Sequence, residues 1–150
     1  MTPDDLNEFL AEAFPATARQ GFRCEAIGDG EALIRWPLDE AEMRPGGYIP
    51  GPTQFAISDL ALWFAVFTKI GIEPMAVTSD MTITFLRPAV GGDLMARAKI
   101  VRVGSARIYG QVDVWVDGDP ERPTAHAIGH YSNPTGARPP TALDGMPPSG

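Results

Sequence analysis

The sequence predicts an α+β fold in which a strongly curved antiparallel sheet wraps one long central helix. Two observations carry this. The segment from about 52 to 70 opens on Pro52, then runs without Gly or Pro to Ile70 and is apolar on nearly every face. A helix of that kind must be enclosed rather than laid on a surface. After it come four long runs with period-two alternation and β-branched enrichment, separated only by turn-like segments. A doubly wound sheet would need helices between those strands, and only turns are available there.

The elements can be taken in chain order. Thr2-Pro3-Asp4-Asp5 reads as an N-cap, a first-turn proline and a carboxylate at the third helical position. Leu6, Phe9, Leu10 and Ala13 follow at helical spacing, which predicts an amphipathic helix over about 3–13. "FRCEAIGDGEALIRWPL" places two alternating runs around Gly28-Asp29-Gly30, a hairpin composition. The Gly-x-Gly there precedes no helix, so a dinucleotide-binding reading fails. "DEAEMRPGGYIPGP" is too rich in Pro and Gly for regular structure and reads as a long loop leading into the central helix. That helix ends at Gly71 after Lys69, a C-terminal signature. "MAVTSDMTITFLRP", "DLMARAKIVRVG", "ARIYGQVDVWVDG" and "TAHAIGHYS" are the four later strands. One domain over 1–133 is expected, followed by a flexible Pro/Gly-rich tail over 134–150.

Composition limits the partners. Chain length and 44% hydrophobic residues suffice for one substantial core. A formal net charge of −7, with Lys and Arg scattered, leaves no electrostatic footprint for nucleic acid. The N-terminus lacks the cationic start and apolar centre of a secretory signal, and no apolar run reaches the roughly 18 residues that span a bilayer. A cytoplasmic location and no membrane partner are therefore expected. The single Cys24 excludes an internal disulfide and reads as a buried strand cysteine. His126 and His130 share one strand face, but two ligands without a Cys or carboxylate cluster do not make a site, so no metal is expected.

Asp59 is the one charged side chain in "GPTQFAISDLALWFAVF". Its helical neighbours at three and four residues are Phe55, Ala56, Leu62 and Trp63, so no local ion pair is available. An unpaired buried carboxylate costs several kcal/mol, on the order of the penalty for any isolated buried ion. Asp59 therefore lies on a solvent-touching edge, is satisfied by backbone of the long loop, is paired at long range, or is used chemically. Residue chemistry alone leaves these open.

"RPGGYIPGPTQFAISDLA" resembles the active-site segment of the PaaI-like acyl-coenzyme A thioesterases of the hotdog fold. That segment has the form Asn-Pro-x-Gly-x-x-His-Gly-Gly, followed seven residues later by an Asp. Pro45, Gly47 and Gly51 match, and Asp59 falls at the catalytic position. "AVTSDMTITFLRPAVGGDL" and "AKIVRVGSARIYGQVDVWVDGD" are similar to the strands that follow, so the resemblance covers roughly 40–132. Arg44, Pro50 and Pro52 stand where the family has Asn, His and Gly, and carry over no catalytic role.

The resemblance implies an acyl-coenzyme A thioesterase for a small or medium acyl group, aromatic groups included. No cofactor is implied, coenzyme A being part of the substrate. The partners implied are that substrate and further copies of the chain, as a homodimer or homotetramer. Asp59 is then the nucleophile or the general base, and Gly51, whose N–H lies at the helix start, is the oxyanion donor. Pro52 has no N–H to add. Thr78 matches the Ser or Thr that orients water at a dimer interface, with Ser79 as the off-by-one alternative. Strict alternation puts Thr78 on one face with Asp80, Thr82 and Thr84. Arg44, Pro50, Phe55 and Arg87 are the remaining candidate substrate-binding residues. Lys99, Arg102 and Arg107 could also reach coenzyme A phosphates. Phe55, Trp63 and Phe67 are placed either to narrow an acyl tunnel or to pack on the sheet. Loss of the family's Asn and His keeps a second class in view, a hotdog domain that binds an acyl or aromatic ligand without hydrolysing it. A hydratase or dehydratase would need a His near Asp59, and Pro50 stands there instead.

Overall fold

The computed structural model describes residues 1–136; from residue 137 on, the segment expected to be a flexible tail lies outside the described residues. The elements are α1 (Pro3–Ala13), α2 (Pro15–Arg19), β1 (Arg23–Gly28), β2 (Glu31–Trp36), α3 (Gly51–Ile70), β3 (Thr78–Phe85), β4 (Leu94–Val103), β5 (Arg107–Val116) and β6 (Ala125–Ser132). All six strands form one antiparallel sheet in the order β1-β2-β4-β5-β6-β3. β1 and β3 are its edges.

α3 starts immediately after Pro50, which is extended and serves as N-cap, with Pro52 in the first turn. It stops at Gly71, whose positive φ of 87° lets its N–H close on the Phe67 carbonyl at 2.8 Å. From Leu60 to Phe67 every side chain is buried, because β2, β4 and β5 curve round one side while α1 closes another through Phe9. The close approach of helix and sheet is set at Gly110. A Cβ there would lie 2.5 Å from Leu62 Cδ1 and 2.9 Å from the Lys99 carbonyl on the neighbouring strand, so any larger residue must move the Leu62 side chain and shift the β4 backbone.

The N-terminal end differs from a single helix. Pro15 forbids helical geometry at Phe14, which adopts φ −136° and ψ 66°, and the chain turns a corner there into the short α2. The long loop is also less irregular than its composition suggests. Glu40–Glu42 forms a 3-10 turn capped by Asp39, and Arg44 pairs with Tyr48 across "RPGGY", where Gly46 and Gly47 both take positive φ.

The two sheet edges are finished differently. At β1 the Asn7 side chain both accepts from Cys24 N–H (2.7 Å) and donates to Cys24 C=O (3.0 Å), and a bulge interrupts the ladder between Cys24 and Ala26. β3 has no such cover among the described residues. Its outer edge is long and unpaired, and Val77, Phe85 and Leu86 at its ends are about half exposed. An open edge of this length leaves backbone donors and acceptors available to another strand.

Candidate active site

Asp59 sits on the one strip of α3 that the sheet leaves open. Pro52, Phe55 and Ala56 are exposed on it and Asp59 is half-buried. The carboxylate is satisfied neither by solvent alone nor by the long loop. Thr78 Oγ1 donates to Asp59 Oδ1 at 2.8 Å, and the Tyr131 hydroxyl donates to the same oxygen at 2.5 Å, with the Asp59 carbonyl also within 3.0 Å of it. Oδ2 has no protein donor among the described residues. Thr78 and Tyr131 are register partners across the β3–β6 ladder, which is why two hydroxyls distant in sequence converge on one atom.

Tyr131 is 3% exposed. Burial first, then the Asp59 charge and the bond to it, push its phenol well above the ordinary 10.0, so it stays a proton donor at any working pH.

The strand-face expectation needs correcting. A bulge between Thr78 and Asp80 shifts the alternation, so Thr78 points in toward α3 while Asp80 points out and meets His130 at 3.0 Å. Thr78 does not share a face with Asp80, and Ser79 is the exposed residue between them. His126 and His130 both lie on the outer sheet face, each against its own carboxylate, Asp113 for His126 and Asp80 for His130.

The other expected residues are not gathered round Asp59 in one chain. Gly51 is eight residues upstream, about 12 Å along the helix axis at a rise of about 1.5 Å per residue. It is the first residue of α3, so its N–H has no intrahelical acceptor. The Phe85 ring lies directly against it, and a Cβ on Gly51 would come within 3.1 Å of that ring. Gly51 thus belongs to the Phe85 end of β3 and Asp59 to the Thr78 end. Pro50 shapes the helix start, Phe55 is 39% exposed on the open strip, and Arg87 is exposed beyond the Phe85 end. Arg44 lines a separate surface basin with Leu38, Met43 and Gly91, away from the Asp59 cavity.

Asp59, Thr78 and Tyr131 form the polar end of a cavity of about 360 Å³ whose remaining walls are mostly apolar, including Leu10, Phe14 and Trp63. Among the described residues, no group of three or more His, Cys, Asp or Glu side chains could hold a metal ion, and no helix is long and apolar enough to cross a membrane. Tyr131 is the site residue sequence reasoning missed. It alternates with buried Ala127 and Ala125 on β6 and looks like a core aromatic; nothing local shows that its hydroxyl ends at Asp59.

A six-stranded antiparallel sheet curled round a single helix that carries its acid beside an edge strand is the hotdog architecture. Residues 46–122 match the model of the thioesterase superfamily, and the chain belongs to that superfamily. It is 33% identical over 120 residues to an esterase candidate from Halobacterium salinarum, covering 75% of this chain and 78% of that one. A crystal structure of a thioesterase candidate from Silicibacter sp. TM1040 superposes with a TM-score of 0.78 at 31% identity, over 87% of this chain and 90% of that one. A mutant of the phenylacetic acid degradation protein PaaI from Thermus thermophilus shares the fold at a TM-score of 0.68 and 22% identity, over 79% and 98% of the two chains.

Proposed function

We propose that the protein is an acyl-coenzyme A thioesterase that works as a homodimer, with Asp59 as the reacting acid. The observation that carries this is the Asp59 carboxylate itself, fixed through Oδ1 by Thr78 and Tyr131 at the mouth of an apolar cavity. Two donors on one oxygen hold the group in orientation and leave Oδ2 for chemistry. Oδ2 either adds to the thioester carbonyl carbon or takes a proton from a water that adds to it. In both routes the carbonyl oxygen gains charge, and collapse of the tetrahedral intermediate breaks the C–S bond and releases the coenzyme A thiolate, which takes up a proton; in the first route a water then adds to the mixed anhydride left on Asp59, breaking its acyl–oxygen bond and returning the free carboxylate.

The charge on that oxygen needs a donor, and Gly51 of the same chain is too far from Asp59 to serve the same carbonyl. A second copy supplies it. Antiparallel pairing of two β3 edges about a twofold axis near Met81 and Thr82 sets the Phe85 end of one strand against the Thr78 end of the other. That carries Gly51 and Arg87 of one copy toward Asp59 of its mate. The exposed strip of α3 and the apolar ends of β3 are buried by the same movement.

The deciding experiment is release of free thiol from a panel of acyl-coenzyme A thioesters by purified protein and by Asp59→Asn. Turnover by wild type and loss of at least about a thousandfold in the variant is expected, as for removal of a reacting carboxylate. Equal turnover by both proteins overturns the role of Asp59. Ligand-dependent thermal stabilisation with no thiol release points instead to a binding protein.

A further inference from the structure

From the cavity that Asp59 opens into, and resting on the thioesterase reading above, we infer that the corner between α1 and α2 is the device that sets acyl length, with Phe14 as the stop. The cavity has a polar end and an apolar end. Asp59, Thr78 and Tyr131 make the first; Leu10, Phe14 and Trp63 make the second. Trp63 is one helical turn below Asp59 on the same face of α3, so an acyl group whose carbonyl carbon is at Asp59 runs down the helix toward the indole.

The two aromatic walls differ in how firmly they stand. Trp63 is 9% exposed and is held from behind by Phe9 at 5.4 Å and Phe67 at 4.9 Å between ring centroids. Phe14 packs edge-on against the other part of the same indole at 5.4 Å, but it is 46% exposed, so on its far side there is solvent. Its position is imposed by the backbone, because Pro15 breaks the helix and turns the Phe14 ring onto Trp63. Thr17, on the first turns of α2, lines the same end. The wall lies outside residues 46–122, the stretch that the superfamily model matches.

The dimensions decide the class of acyl group. A dry apolar cavity of about 150 Å³ accepts a benzene ring, and the volume here is about 360 Å³. That is room for a single ring with a short linker or a medium straight chain between Asp59 and Phe14. Truncating Phe14 vacates the space its ring fills against Trp63, where a longer chain can pack on the indole. Filling at Thr17 shortens the pocket.

The test uses straight-chain acyl-coenzyme A thioesters from acetyl to palmitoyl with wild type, Phe14→Ala and Thr17→Trp. Each methylene newly buried contributes about a fourfold gain, so Phe14→Ala raises kcat/KM for chains two carbons beyond the wild-type optimum by at least about tenfold. Thr17→Trp moves the optimum to shorter chains. A parallel arm measures melting temperature and tryptophan fluorescence with free carboxylates of the same lengths, which needs no hydrolysis. Hydrolysis with the same length profile in all three proteins overturns the inference and leaves the thioesterase reading standing. No hydrolysis, but length-selective binding that Phe14→Ala extends, does the reverse. Neither binding nor hydrolysis at any length overturns both.

Discussion

The Tyr131 hydroxyl donates to Asp59 Oδ1 at 2.5 Å from a buried position, and it is raised so far above its ordinary range that it never competes for the negative charge. The tyrosine therefore acts on the acid by fixing it. A hydrogen bond to a charged group contributes about 1.5–3 kcal/mol. Its loss in Tyr131→Phe is expected to lower kcat by about tenfold or more while KM changes little, because the ring that lines the cavity remains. Thr78→Ala should behave likewise and Thr78→Ser should recover most of the rate. Steady-state kinetics on the best substrate checks this, and a fall confined to KM would show that the hydroxyls serve binding instead.

The separation of Gly51 from Asp59 gives a second expectation. In Gly51→Pro the donor is removed at a position where proline suits a helix start, and Pro50 before it already holds the extended ψ of 152° that a following proline requires. Loss of one oxyanion donor costs about 10²- to 10³-fold in kcat. Gly51→Ala carries the same Cβ toward Phe85 but keeps the N–H, and so serves as control. If the donor and the acid come from different copies, co-expressed Gly51→Pro and Asp59→Asn chains reassort into dimers with one intact site. Activity should then recover to about a quarter of wild type, the statistical value for twofold pairing. No recovery in a verified heterodimer means that the two residues do not meet across an interface.

The pairing edge itself can be tested without activity. β3 offers a long outer edge, unpaired among the described residues, with no Lys and no Pro within it, whereas β1 is clamped by Asn7. Replacing the half-exposed Val77 and Phe85 with Lys puts charge at both ends of the β3 edge, where two copies would meet. Sedimentation velocity should show a shift from dimer toward monomer, with melting temperature falling as the interface is lost. An unchanged dimer would move the interface away from β3.

The curled sheet and its enclosed helix were legible because both rest on long-range repetition, an apolar segment with no polar face and four strands with only turns between them. Asp59 was legible for the opposite reason, as a lone charge in that segment. What surrounds it was not. The bulge after Thr78 leaves no mark in "VTSDMTITF", and strict alternation consequently put Thr78 on the wrong face. Tyr131 reaches Asp59 across 72 residues of sequence, through a ladder register that no local pattern encodes. α2 is five residues long, too short to show a helical period, although Pro15 marks where it begins. The match at Gly51 carried no distance with it; the eight-residue helical step from it to Asp59, about 12 Å at about 1.5 Å per residue, sets the two apart within a chain.

Cys24 provides a stability expectation and guards the thiol-release assay. It is 4% exposed on β1, and burial, partly offset by the Ala26 backbone and reinforced by Glu25, pushes its thiol from 9.0 up to about 11. The native protein should therefore react very slowly with a thiol reagent at pH 8, and stoichiometrically once unfolded in guanidinium. The same shift fixes a pH dependence. Below pH 9 the thiol is protonated in both folded and unfolded chains and its full contribution to stability is present. Between pH 9 and about 11 the unfolded chain gives up the proton while the folded chain keeps it, so stability falls as pH rises. Denaturant midpoints of wild type and Cys24→Ala across that range should converge or cross, with wild type losing more. Parallel pH profiles would place the loss on other groups.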